Sequence, residues 1–309
     1  MSVGASAAQG KVQINEVGPR DGLQNQARIL QPEQRLRLIE ALVGAGLSAI
    51  EVGAFVSPKS VPCMAATDQV IAGLPAAAVN YSALIPNRKG YDMARASGIE
   101  TVNLVVAASN TMNEKNIRMS TSEVMAISAE VIQQARSDQL CSQVYIATAW
   151  ACPFEGAVPE SVVIELAGQL LAQGVATIII ADTIGAADPA VVRSLMQELV
   201  KEYGTGQLSC HFHDTRGMGV ANVYAAVEVG VRSFDASIGG LGGCPFAPGA
   251  TGNVATEDVV LLLEQMGFIT GINMKKLLQA VDLAAELTGS CQGGHASKWL
   301  RGQAEKGLL

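Results

Sequence analysis

Two of the three histidines in this 309-residue chain stand two apart, in Leu208-Ser209-Cys210-His211-Phe212-His213-Asp214. If that run is a strand, residues two apart share a face, so both imidazoles project together as a ready pair of ligands for a divalent ion. Neighbouring histidines with no metal between them are the plain alternative. A second group lies in Gly18-Pro19-Arg20-Asp21-Gly22. Here a carboxylate able to ligate the same ion sits beside a guanidinium able to stabilise a developing oxyanion, unless the two are an ordinary turn ion pair. Asp plus two His is a common donor set for a divalent ion with open positions. The third group is the loop Gly239 to Asn253, where glycines and two prolines, Pro245 and Pro248, surround one thiol, Cys244. An unperturbed thiol, with a pKa of about 8.5, holds a proton at neutral pH yet can release it, which suits a general acid. A small buried hydrophobe is the other reading of a free cysteine. The loop lacks the lysine-hydroxyl ending of a phosphate-binding loop, so it gives little support to nucleotide binding.

Residues 20, 211 and 244 are far apart in sequence, so the fold has to bring them together. Short β-branched runs alternate with amphipathic helical stretches along the whole chain. The expected strands are Val12 to Val17, Ala49 to Val52, Val79 to Ile85, Thr101 to Val106, Val144 to Ala149, Thr177 to Ala181, Leu208 to His213 and Ser233 to Ile238. Between them, Pro32 to Val43 places Leu36, Ile39 and Val43 on one helical face, and Glu123 to Arg136 does the same with Val124, Ile127 and Val131. Thr256 to Met266 is the expected eighth helix, and Asn273 to Leu287 an appended one. Parallel neighbours need a crossover, and right-handed crossovers wind the sheet one way, so eight βα units predict an α/β fold closed as a (β/α)8 TIM barrel. A doubly wound open sheet would carry a phosphate-binding glycine turn after its first strand, where this chain has the Gly-Pro corner. In a barrel, functional groups gather at the C-terminal strand ends. Arg20 and Asp21 follow the first strand, Glu51 ends the second, Asp182 the sixth and the histidines the seventh, and the glycine-rich loop follows the eighth.

Nearly half the residues are hydrophobic (49%), with 32 glycines, as in a valine- and glycine-rich α/β domain. One catalytic domain is expected over residues 1–309, the barrel spanning about 12–267 and a C-terminal extension about 268–309. The net charge of -7 argues against nucleic acid or an anionic membrane as a partner. Met1 to Ala5 begins no basic, apolar leader, and no run approaches the roughly 18 apolar residues of a membrane span, so a cytoplasmic location is expected. Six cysteines, at 63, 141, 152, 210, 244 and 291, lack zinc-type spacing and are expected to be free thiols.

Five stretches together resemble the 3-hydroxy-3-methylglutaryl-CoA lyase family. They are Glu16 to Asn25, Phe55 to Lys59, Asp182 to Gly185, His211 to Thr215, and the loop from Gly240 to Pro245 with its continuation Gly252 to Asp258. The resemblance implies a TIM barrel that binds Mg²⁺ or Mn²⁺ and cleaves a 3-hydroxyacyl-CoA to acetyl-CoA and a keto acid, with no nucleotide cofactor beyond the CoA of the substrate. It implies Asp21, His211, His213 and Asn253 as metal ligands, and Arg20 as the group facing the thioester oxygen. Asp21 or His211 would take the hydroxyl proton and Cys244 would return one, with Glu51, Asp182 and Glu257 as supporting acids. A homodimer is typical of the family.

The chain also departs from the family pattern. Ala54 and Ile179 stand where these lyases usually carry serine, and Trp150 replaces a smaller aliphatic residue, so these three are expected to set the acyl specificity of the pocket. A related branched substrate such as citramalyl-CoA is the alternative within the lyase reading. A Claisen-type synthase shares the barrel and the paired histidines, but it usually has Glu where Leu23 stands and lacks the cysteine loop. A non-catalytic binding protein on the same barrel is the remaining rival. Cys141, Cys152, Cys210 and Cys291 read as packing residues, and His295 as solvent-facing or close to CoA. Lys59, Arg88, Lys89 and Lys115 are basic enough to pair with CoA phosphates, or are solvated charges.

Overall fold

A computed structural model describes residues 10–243 and 252–309. The strands are β1 (Gln13–Glu16), β2 (Ala49–Ala54), β3 (Asn80–Leu84), β4 (Thr101–Ala107), β5 (Cys141–Ala147), β6 (Ala151–Cys152), β7 (Gly156–Ala157), β8 (Thr177–Asp182), β9 (Leu208–Phe212) and β10 (Ser233–Ala236). Eight of these close a parallel barrel in the order β1-β2-β3-β4-β5-β8-β9-β10, and β10 returns to β1 through the pairs Gln13–Ser233 to Glu16–Ala236. The fold is therefore the TIM barrel that the βα alternation predicts.

The helices are α1 (Pro32–Ala45), α2 (Thr67–Ala72), α3 (Arg88–Ser97), α4 (Asn110–Ile117), α5 (Thr121–Ser137), α6 (Glu160–Ala172), α7 (Pro189–Tyr203), α8 (Gly219–Glu228), α9 (Thr256–Gln265), α10 (Met274–Thr288) and α11 (Ser297–Glu305). Local chemistry starts and stops them. Gln31 and Gln34 form a capping box ahead of Pro32, and Gly46, at φ +100°, ends α1 in a left-handed conformation. Ser120 and Glu123 box the start of α5, and Asp188 accepts from two backbone N–H groups to cap α7. None of the described helices is long and apolar enough to cross a membrane.

The main apolar core lies between the barrel wall and this helical coat. Ile50, Val52, Ile146, Ile178, Ile180, Phe212 and Phe234 are at most 1% exposed and meet Leu38, Val131, Leu170, Leu195 and Val259 from the helices. Each such side chain contributes about 1.5–3 kcal/mol by leaving water. Leu277, Ala280, Val281 and Leu287 of α10 join the same core, and Asn273 N–H donates to the carbonyl of Ala45 at 2.7 Å, which seats α10 on α1.

Four details lie outside the periodic pattern. The Gly-Pro corner is a π-helical turn, Gly18–Gly22. β6 and β7 form a two-residue hairpin after β5, and α11 follows the appended helix. The eighth barrel strand stops at Ala236 because Ile238–Gly240 forms a 3-10 turn in which Gly239 takes φ +61°.

Candidate metal and active site

The π-helical turn after β1 places Arg20 and Asp21. Its backbone is packed so closely that a Cβ on Gly18 would lie 2.6 Å from Glu16 Oε1, and one on Gly22 would lie 2.8 Å from Ser237 Oγ. Both glycines are therefore required by close approach. Glu16 binds the turn from below. Its carboxyl accepts from Gly18 N–H and Ile238 N–H, both at 2.8 Å, and from the Thr256 hydroxyl at 2.6 Å. One buried acid thus ties the turn, the start of the glycine-rich loop and the first residue of α9. Burial raises its pKa to about 7 against these hydrogen bonds.

Arg20 is buried, with Nε on Glu51, Nη1 on Asp21 and its guanidinium 5.9 Å from the centre of the Tyr145 ring. Burial opposes its charge, but Glu51 and Asp21 outweigh burial and keep it cationic. Glu51 also accepts from Asn103 Nδ2 at 2.8 Å; burial raises its pKa although Arg20 and Asn103 act the other way.

Opposite this turn, β9 delivers His211, and His213 follows one residue beyond the strand end. Asp21, His211 and His213 each offer a ligand atom, all within 4.8 Å of one another. His213 Nε2 is 4.0 Å from Asp21 Oδ2. Burial alone would raise the Asp21 carboxyl, but Arg20 and the two imidazoles hold it down to about 2. Burial and the neighbouring His211 lower His213 to about 4, which keeps its ring neutral with a lone pair to donate. Asn253 pairs with His213 as an antiparallel bridge, and its Nδ2 donates to Asp21 Oδ2 at 2.8 Å. Its Oδ1 is buried without a partner, as is His213 Nδ1. Orphaned polar atoms at this depth are costly, and a cation among these residues would use the Asn253 oxygen. The four residues implied as metal ligands therefore converge and fit a divalent ion, two of them through nitrogen and two through oxygen.

His211 has a partner that the sequence reading missed. Asp235 on β10 lies beside it in register, with Oδ2 3.0 Å from Nδ1. The Tyr145 hydroxyl donates to the same Asp235 oxygen at 2.7 Å, and Asn15 Nδ2 to the other at 2.9 Å. Burial disfavours a charged His211, yet its bond to Asp235 and the charges of Asp235 and Asp21 raise its pKa overall. An acidic residue in a strand of inward and outward alternation is a usable signal, but pairing it with His211 requires the register.

A cavity of about 190 Å³ opens at this end of the barrel; Arg20, Asp21, His211 and His213 line it together with Leu84, Met112, Tyr145 and Thr183. Ala54, Trp150 and Ile179, expected to set specificity, are not among the residues lining this cavity. Ile179 is buried against Tyr145 and Ala181 deeper in the barrel and lines a separate cavity near the opposite end. Trp150 packs its ring on Phe212 and donates Nε1–H to the Val191 carbonyl of α7 at 3.2 Å, which places it in the helical coat. Ala54 is 1% exposed and follows a register shift between Glu51 and Gly53, with its N–H 3.3 Å from Thr67 Oγ1. Asp182 uses both oxygens on the N–H groups of Ala186 and Ala187, at 2.8 and 3.0 Å, and so fastens the loop after β8. Glu257 accepts from Gly239 N–H, Gly294 N–H and the Ser297 hydroxyl, joining the glycine-rich segment to the C-terminal one. Cys244 lies outside the described residues.

Several other singled-out residues are also placed. His295 is exposed and bonds Asp214 Oδ2 at 2.8 Å. Cys210 is fully buried in the apolar core, where burial pushes its thiol up, and Cys152 accepts from the Ser109 hydroxyl at 2.9 Å. Arg88 pairs with Asp92 at 3.1 Å, and Lys115 lies 5.0 Å from the centre of the Phe154 ring.

Comparison with known proteins gives the same family as the motifs. The HMGL-like profile matches residues 11–284. The hydroxymethylglutaryl-CoA lyase YngG of Bacillus subtilis is 42% identical over 280 residues, 90% of this chain and 94% of the relative. The (R)-citramalyl-CoA lyase of Chloroflexus aurantiacus is 41% identical over 289 residues, 90% of this chain and 91% of the relative. The crystal structure of hydroxymethylglutaryl-CoA lyase from Pseudomonas aeruginosa superposes with a TM-score of 0.92 at 40% identity, covering 95% of this chain and 98% of that one. On sequence, fold and converging residues alike, the chain belongs to the HMGL-like family of 3-hydroxy-3-methylglutaryl-CoA lyases.

Proposed function

We propose that the protein is a divalent-metal-dependent carbon–carbon lyase that cleaves 3-hydroxy-3-methylglutaryl-CoA to acetyl-CoA and acetoacetate. The observation that carries the reading is the convergence of Asp21, His211 and His213 beside a buried, cationic Arg20. Asp21, His211, His213 and Asn253 would hold the ion, Mg²⁺ or Mn²⁺, which supplies acidification of the substrate's tertiary hydroxyl. His211 has Nδ1 3.0 Å from Asp235, which leaves Nε2 toward the site, and Asp21 or His211 would take the hydroxyl proton. The bond between carbons 2 and 3 then breaks, its electron pair becoming a thioester enolate and its other carbon the ketone of the keto acid. Arg20, fixed by Glu51, meets the enolate oxygen with a full positive charge. A proton passes from Cys244 to carbon 2, giving acetyl-CoA, and the resulting thiolate recovers the proton released from the hydroxyl.

Citramalyl-CoA is the second reading, favoured by a citramalyl-CoA lyase standing within one percentage point of identity of the first relative. Its cleavage yields acetyl-CoA and pyruvate by the same steps. A turnover screen of both thioesters with Mg²⁺ and with Mn²⁺ separates the readings, and failure on every 3-hydroxyacyl-CoA offered removes the lyase assignment. Cys244→Ala is expected to lose at least about 100-fold in turnover, in line with loss of a positioned acid; an unchanged rate rejects Cys244 as the proton donor. We also assign a cytoplasmic location, in keeping with five free thiols among the described residues, and a homodimer, which light scattering tests.

A further inference from the structure

We infer that Asp235 is a positioning residue that selects which nitrogen of His211 faces the site, with Tyr145 and Asn15 holding Asp235 in place. The inference rests on the metal reading above and deepens it. Asp235 is 2% exposed and sits one strand from His211, in register with it on β9 and with Asn15 on β1. Its two oxygens take three side-chain donors: His211 and Tyr145 on Oδ2, Asn15 on Oδ1. Both Asp235 oxygens already accept, from Tyr145 and Asn15, so Nδ1 of His211 is placed as the third donor and its lone pair falls on Nε2. Without that partner a neutral imidazole distributes its hydrogen between both nitrogens, and part of the population presents N–H where a ligand is needed.

Tyr145 supports the arrangement twice. Its hydroxyl bonds Asp235, while its ring meets the His211 ring edge-on at 5.8 Å and also lies beneath Arg20. The imidazole is thereby fixed in rotation as well as in tautomer.

The chamber below Asp235 also carries polar side chains. Most barrels of this type fill the interior with branched apolar side chains. Here a cavity of about 420 Å³ runs from the N-terminal end of the barrel up to Asp235, lined by Asn15, Ser82, Gln143 and Ser209. Ser209 Oγ is buried in this layer without a protein partner. Asp235 stands between this polar chamber and His211 at the functional end of the barrel.

Three histidines make the test direct. Protein labelled with ¹⁵N-histidine and freed of metal, held at about pH 9 so that the imidazoles are neutral, gives long-range ¹H–¹⁵N correlations that report each tautomer. The parent is expected to show His211 with hydrogen on Nδ1. Asp235→Asn is expected to shift His211 wholly or partly to the Nε2–H form and to weaken Mn²⁺ binding, read by the paramagnetic resonance of free Mn²⁺, by roughly 10–100-fold. Tyr145→Phe keeps the ring, loses one donor and is expected to fall between the two. An Nε2–H tautomer in the parent overturns the inference, and so does an Asp235→Asn protein with unchanged tautomer and Mn²⁺ affinity. If Asp235→Asn does not fold, the parent tautomer and Tyr145→Phe still decide. A parent with the Nδ1–H tautomer that binds neither Mn²⁺ nor Mg²⁺ instead removes the metal reading, leaving the tautomer assignment standing and its purpose refuted.

Discussion

On β8, β9 and β10 the side chains that meet the helices are Ile178, Ile180, Cys210, Phe212 and Phe234, whereas Ser209, His211 and Asp235 line the barrel interior or its mouth. The same short strands thus carry an apolar outer face and a polar inner one. The outer face releases hydrocarbon from water and stabilises the fold. The inner face buries charges and hydroxyls at a cost, and what it gains is a set of groups held in fixed directions. If this division is right, substitutions on the two faces should move different measurements.

The largest expected effect is on the inner face. His213→Ala should lower turnover on the order of 1000-fold, equivalent to about 4 kcal/mol of barrier. Its unfolding free energy should change by only about 1 kcal/mol, because the ring leaves one buried nitrogen unpaired and borders a cavity. Ile180→Ala on the outer face should show the reverse: about 3 kcal/mol lost in urea unfolding, with turnover per folded molecule within about threefold of the parent. A large stability loss in His213→Ala, or a large loss of turnover in Ile180→Ala at low temperature, would break the division.

How much of this was legible beforehand follows from the same geometry. All eight barrel strands stand out in the sequence because parallel strands read as β-branched runs, and the β6–β7 hairpin does not because two residues have no period. Asp21, His211 and His213 are conspicuous by rarity and spacing. Asp235 is not, since its meaning depends on the β9–β10 register, which no local pattern contains. Ala54, Trp150 and Ile179 are not among the residues that line the mouth cavity. A register shift interrupts the alternation before Ala54, Trp150 lies beyond the end of β5, and Ile179 points inward too deep to reach the mouth. The residues lining the mouth cavity, such as Leu84, Met112 and Thr183, carry no chemical signature and emerge only from the fold.

Glu16 is an acid set within the outer layer, and it gives the next effect in size. Its folded pKa of about 7 stands above its ordinary 4.5, so between those values the folded protein keeps a proton that the unfolded chain has released. Folding stability from this group is therefore highest below about pH 4.5 and falls as pH rises through about 7, by about 3 kcal/mol in all. Glu16→Gln has no carboxyl to ionise. The difference in urea midpoint between variant and parent should shift in favour of the variant from about pH 5 to about pH 8. A difference independent of pH would show that Glu16 stays ionised, held by Gly18, Ile238 and Thr256.

The smallest effect is the most discriminating about the inner face. Ser209 lies on β9 two residues before His211, and its hydroxyl is buried without a protein partner. If the lower chamber holds water, that hydroxyl is already satisfied in solution, and Ser209→Ala removes one hydrogen bond to a solvent molecule that can rebind elsewhere. The expected change in stability is about 1 kcal/mol or less. If the chamber were dry, the same substitution would remove an unsatisfied group and stabilise the protein by about 1–3 kcal/mol. The sign and size of this one shift in thermal midpoint therefore distinguish a solvated floor beneath Asp235 from an empty one. A distinct stabilisation would mean that the polar interior holds its charges by direct contacts alone.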